Sequence, residues 1–245
     1  MPLHDHFRPP DNRLPWEPLH SGWLSELAGR INERLPEGYV ALDRVRIGGG
    51  LEIDLGVEEL LSGPGAGSEV PAGGVATATT RATYAPPAAS GSAEYTFPDL
   101  LELRVTSATG DGRVVGAVEL VSPGNKDRGT KREAFVGKCL DYLAGGAAVV
   151  IVDVVTDRRA NLHNDIAERV GAPSELMLSA ESFLYAAAYR PVRRGKRTQI
   201  DIWVSPLAVG TPLPTMPLRL VGNVFIPVEL EWAYVEACRR RRFVA

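Results

Sequence analysis

The chain has 245 residues, 44% of them hydrophobic and 23% charged, with a formal net charge of −3. That length and mixture describe one large or two small soluble domains, and no apolar run nears the roughly 20 residues of a membrane span. A broad basic footprint of the kind that grips long nucleic acid is missing; positive charge gathers only in "RRGKR" at 193–197 and "RRRR" at 239–242, which read either as phosphate contacts or as a hairpin turn and a solvated helix end.

Residues 1–18 carry five prolines and no hydrophobic period, which predicts an extended arm preceding a single domain over 19–245. Without an apolar core, this start does not read as a secretory signal. Leu19, Trp23, Leu24, Leu27, Ile31 and Leu35 fall at helical spacing, ended by "LPEG". "YVALDRVRI" and "LEIDLGV" read as strands flanking "GGG". Residues 62–93 are rich in Gly, Ala, Ser, Thr and Pro; few of their side chains can offset the ordering entropy, and a flexible loop is expected. "LLELRVTS" and "RVVGAVELV" then flank "ATGDG" as a hairpin. The stretch 130–143 sets Phe135, Lys138, Cys139 and Tyr142 on one helical face, "GG" stops it, and "AAVVIVDVV" reads as a strand buried on both faces. A short helix at 162–170, a second hairpin over "FLYAAAYRPV" and "TQIDIWVSPL", and a terminal helix at 226–242 complete the chain. Strands grouped before one crossover helix predict a mixed sheet in an α/β or α+β fold. Cys139 and Cys238 are the only cysteines and lie far apart, which fits free thiols in a reduced cytoplasm.

The acids and lysines around residues 114–143 carry the chemistry. In a hairpin turning at Gly110-Asp111, Glu102 lies across from Glu119, and two like charges so placed call for a cation, a lysine or a shared proton. A hard cation such as Mg²⁺ takes carboxylate oxygens; the competing reading is a shifted register with Glu102 and Arg104 on a solvated face. Glu119 alternates with Ala117 and Val121 and needs a partner. Lys126 can fold back from the following loop, and Lys138 stands on an apolar helix face, where it either pairs or snorkels. Asp54 in "LEIDLG" is a third ligand or the polar side of an edge strand.

The run "VVGAVELVSPGNK", the helix with Lys138 and Tyr142, and "VVIVDVV" together resemble a bacterial family catalogued as domain of unknown function 4058. So do "LPWEPLHSGWLSELAGRINERLPEGYVA" near the start and "TQIDIWVSPLAVGTPLPTMPLRL" near the end. The core of that family is similar to the PD-(D/E)-x-K nuclease-like superfamily. The resemblance implies an αβββαβ restriction-endonuclease-type core with an added C-terminal hairpin and helix, a metal-dependent hydrolase, Mg²⁺ as cofactor, and DNA or RNA as partner, with a homodimer allowed. It makes Asp54 and Glu119 the metal ligands, to which the hairpin reading adds Glu102, and Lys138 or Lys126 the catalytic lysine. Val121 stands where the superfamily's strand lysine is found, so the resemblance equally allows an inactive nuclease-fold module for binding or assembly.

Overall fold

The computed structural model describes residues 1–11, 15–47, 51–60, 84–95, 112–194 and 197–243. Helix α1 (Trp16–Asn32) begins behind Pro15 and buries Leu19, Trp23, Leu24, Leu27 and Ile31, the residues its 3.6-residue period brings to one side. Each such side chain contributes about 1.5–3 kcal/mol on leaving water. Strands β1 (Tyr39–Ile47) and β2 (Leu51–Leu60) form an antiparallel pair, and β2 pairs antiparallel with β4 (Gly112–Leu120). After the five-residue helix α2 (Pro123–Asp127), helix α3 (Gly129–Ala144) crosses to β5 (Ala148–Asp153), which runs parallel to β4. The helix stops at Gly145, and Gly146 takes φ +83°, a conformation that glycine adopts without strain.

Beyond β5 come helix α4 (Leu162–Arg169), strands β6 (Tyr185–Arg194) and β7 (Arg197–Pro206), the two-stranded pair β8 (Thr215–Arg219) and β9 (Phe225–Glu229), and helix α5 (Leu230–Arg240). With β3 (Gly91–Glu94) on β7, the described residues form a main sheet of seven strands in the order β1-β2-β4-β5-β6-β7-β3. It is a mixed sheet in an α/β fold. The run α1, β1, β2, β4, α3, β5 follows the expected αβββαβ order, with β3 and α2 interposed. One face of the sheet packs against α1, α5 and the β8–β9 pair; the other packs against α3 and α4. Strand β5 is buried along its whole length between these layers, as its unbroken apolar run requires.

Four expectations change. The extended arm expected over 1–18 is packed where it is described, at residues 1–11 and 15–18: α1 already starts at Trp16, Leu3 and His6 are buried, and the backbone of Leu3 exchanges hydrogen bonds with Thr211 and Gly210. A few apolar side chains seated in the core order this proline-rich stretch without any local period. Of the loop expected at 62–93, residues 62–83 lie outside the described residues, and its end is ordered: Gly91–Glu94 form an edge strand, Trp203 Nε1 donates to Pro87 O at 2.9 Å and Val204 N to Ser90 Oγ at 3.1 Å. There the unpaired backbone of β7 supplies the order that composition could not. The antiparallel neighbour of β4 is β2, while residues 96–111, with the expected hairpin partner and Glu102, lie outside the described residues. Finally, residues 225–229 are a strand, so the last helix starts at Leu230 and buries Leu230, Ala233, Tyr234, Ala237 and Cys238, leaving Trp232 exposed.

Candidate active site

The antiparallel ladder between β2 and β4 runs to Leu55 opposite Val118. One step further, where the two strands part, stand Asp54 and Glu119. The backbone N–H of Leu120 donates instead to Asp54 Oδ2 at 3.0 Å, so a side-chain carboxylate takes the place of a strand carbonyl. Two helices reach these acids from opposite faces of the sheet. From α3, Lys138 Nζ donates to Glu119 Oε2 at 2.6 Å. From α1, His20 Nε2 donates to Leu120 O at 3.1 Å and lies 3.5 Å from Asp54 Oδ2.

The two acids differ in their access to water. The side chain of Glu119 is 1% exposed and that of Asp54 24%. Glu119 Oε1 is buried with no hydrogen-bond partner. Burial, with a smaller push from the Asp54 charge, raises the Glu119 carboxyl to about 7, against the opposing pull of Lys138 and Tyr142. Burial also works against the charge on Lys138, yet Glu119 outweighs it and lifts the amine above its usual value. Both directions have one meaning: the pair keeps the lysine proton firmly and takes up a further proton near neutrality. His20 is likewise raised: Asp54, the Leu120 carbonyl and Glu119 together outweigh burial, which is the largest single influence and acts downward. Tyr142 is pushed upward, first by burial and then by Glu119, and Cys139 in the same cluster rises for the same reasons. Neither is a ready nucleophile.

The second lysine goes elsewhere. Ser122 and Asn125 close the start of α2, the backbone N–H and the hydroxyl of Ser122 both donating to Asn125 Oδ1 at 2.9 Å. This turn sends Lys126 into the interior, where Nζ meets Asp153 Oδ2 at 2.9 Å, Val155 O at 3.4 Å and Phe183 O at 3.5 Å. Both side chains of that pair are fully buried. Lys126 therefore does not fold back to Glu119; it ties α2 to the end of β5. The "ELVSPGNK" motif thus begins and ends in two separate ion pairs, each closed by a residue that lies outside it.

Of the expected site residues, Asp54, Glu119 and Lys138 share one electrostatic cluster, Lys126 belongs to another, and Glu102 lies outside the described residues. His20 was missing from the sequence reading. A polar residue on an amphipathic helix is ordinary, and only the fold shows what it faces. A cavity of about 440 Å³ opens over Asp54 and His20, lined also by Trp16, Glu17, Ser122 and Pro123. Three arginines of the basic clusters form ion pairs within the chain while staying more than half exposed: Arg240 pairs with Glu26, Arg239 with Glu236, and Arg194 with Asp201.

Among the described residues, no group of three or more His, Cys, Asp or Glu side chains is set to hold a metal ion. Mg²⁺ asks for less, one or two carboxylates with the remaining positions filled by water and substrate. Asp54 and the Leu120 carbonyl, both within 3.5 Å of His20 Nε2, are hard oxygens of that kind, and the orphaned Oε1 of Glu119 belongs to the same electrostatic cluster. The fold and the site define an α/β protein with paired acids where two central strands part. No family model, no curated protein and no solved structure matches the chain, and among the described residues no helix is long and apolar enough to cross a membrane.

Proposed function

We propose that this chain is a nuclease-like phosphodiesterase acting on DNA or RNA, with Mg²⁺ held by Asp54, Glu119 and the carbonyl of Leu120. The observation that carries this reading is the meeting of Asp54 and Glu119 at the β2–β4 parting, with Lys138 2.6 Å from Glu119 and an open cavity above Asp54. Bound there, Mg²⁺ supplies Lewis acidity toward a phosphoryl oxygen and a water of lowered pKa. The protein's own part is orientation and charge. Lys138, from the sheet face opposite the cavity, fixes the rotamer of Glu119 and adds positive charge to the site. Leu120 N–H fixes Asp54 through Oδ2, the oxygen that also faces His20 Nε2 at 3.5 Å. Pro123 and the capped turn at Ser122 wall the cavity on the substrate side.

The test is cleavage of single- and double-stranded DNA and RNA in Mg²⁺ or Mn²⁺. Cleavage is expected, stopped by chelation, and reduced at least about 100-fold in Asp54→Asn, Glu119→Gln and Lys138→Met. A second reading, a non-catalytic binding or assembly module on the same fold, is favoured by a separate observation: each acid already has a partner within the chain, Lys138 for Glu119 and His20 for Asp54. Wild-type protein that cleaves none of these substrates and takes up no Mn²⁺ leaves that second reading standing.

A further inference from the structure

Two oxygens of the site point at one atom. Leu120 O and Asp54 Oδ2 lie 3.1 and 3.5 Å from His20 Nε2. A ring N–H hydrogen stands about 1 Å out from its nitrogen, which brings it to roughly 2–2.5 Å from these oxygens. Mg²⁺ holds its oxygen ligands at about 2.0–2.1 Å. The imidazole N–H thus sits in the space that a small cation would need. His20 comes from α1, packed on the sheet face opposite Lys138, and Trp16 stands edge-on to its ring at 5.7 Å, one turn earlier on the helix. The ring nevertheless borders an open cavity and is partly exposed, so it has room to swing out. His163 makes an informative contrast: its ring is fully buried and held on both nitrogens, by Tyr189 Oη at 2.6 Å and Leu176 O at 2.8 Å.

We infer that His20 is the resident occupant of the cation position, competing with a divalent metal for Asp54 and Leu120 O, so that metal entry requires the ring to leave. This rests on the metal reading above and goes beyond it by assigning a gating residue on α1. The test is calorimetric titration of the full chain with Mn²⁺, at one pH, on wild type, His20→Ala, His20→Leu and His20→Gln, with thermal melts as a folding check. Ala and Leu cannot donate to the two oxygens and should bind Mn²⁺ about 10-fold or more tightly than wild type, whereas Gln, which keeps a donor, should stay near wild type. Adding Asp54→Asn to His20→Ala should remove the gain. In parallel, Mg²⁺ titrated into wild-type protein should shift the ring ¹H–¹⁵N signals of His20 and leave those of His163 in place. Equal affinities across the series, weaker binding in the Ala and Leu variants, or saturation by Mg²⁺ with the His20 signals unmoved would each overturn the inference. Metal-dependent cleavage by wild type alongside any of these results would leave the phosphodiesterase reading intact. No Mn²⁺ uptake by any variant, with no cleavage, would end both.

Discussion

The molecule contains two lysine–carboxylate pairs with opposite surroundings. Lys126 and Asp153 lie in the interior, both side chains inaccessible, with two further carbonyls held by the same amine. Lys138 and Glu119 lie at the parting of β2 and β4, where the amine is 18% exposed and a cavity and a second acid are close by. Burial lifts both carboxyls to about 7. The difference is access. Asp153 also accepts from Val155 N at 3.0 Å, and its Oδ2, which like Glu119 Oε1 makes no hydrogen bond, lies 2.9 Å from the Lys126 amine. A buried pair closed off from water specifies structure, and a buried acid whose partner reaches solvent is the kind of group that chemistry or ligand binding uses.

Removing each lysine sharpens that contrast. Lys126→Met strips three interior acceptors of their donor at once and should cost about 3–5 kcal/mol in urea unfolding. A loss below about 1 kcal/mol would mean that the two pairs are equivalent after all.

Next in size is a pH dependence, best read as the difference between wild type and Glu119→Gln. The folded pKa of Glu119 stands near 7, above its ordinary 4.5. Folded protein therefore retains a proton that the unfolded chain has released between these values. The contribution is fully present below about pH 4.5 and fades as pH rises through 7, by at most about 1.4 kcal/mol per pH unit. His6 and His163, whose pKa values burial lowers, act in the opposite sense, but they are common to both proteins and cancel in the difference. Unfolding midpoints at pH 5, 6, 7 and 8 should show the advantage of wild type over the Gln variant shrinking; a constant gap would place the folded Glu119 at an ordinary carboxylate pKa.

Lys138→Met should change stability by only about 1 kcal/mol at neutral pH, since Glu119 can take up a proton and the methionine keeps the aliphatic volume of the lysine stem, losing only the amine 5.2 Å from the Phe135 ring centre. If this variant melts as far below wild type as Lys126→Met does, the site pair is structural too. The smallest effect belongs to Tyr142→Phe, about 0.5–1 kcal/mol, with Glu119 moving further up because one of its two stabilising neighbours is lost. Titration of the Glu119 carboxyl by ¹³C NMR would read that shift directly.

The sequence alone carried the elements that local pattern determines. The 3.6-residue period of α1 and α3, the continuous apolar run of β5, the Gly145-Gly146 stop and the β6–β7 hairpin are written in residue order, because each depends on neighbours within a few positions. A lysine on the apolar face of α3 and a carboxylate at the end of the strand before it were enough to expect their meeting, since a crossover helix lies back over its own sheet. Strand partners were decided by the fold. Nothing near Glu119 in sequence marks Asp54 as its neighbour, 65 positions earlier, and the described partners of β4 are β2 and β5, while the hairpin arm that local turn residues suggested lies outside the described residues. The packed N-terminal segment and edge strand β3 gain their order from distant surfaces, the floor beside α5 and the open backbone of β7. The two lysines read alike in sequence, each a cation near an acidic strand end. The capped turn at Ser122 sends one into the interior, and the register of α3 sets the other beside the opening, because the free energy of a charge depends on what surrounds it in three dimensions.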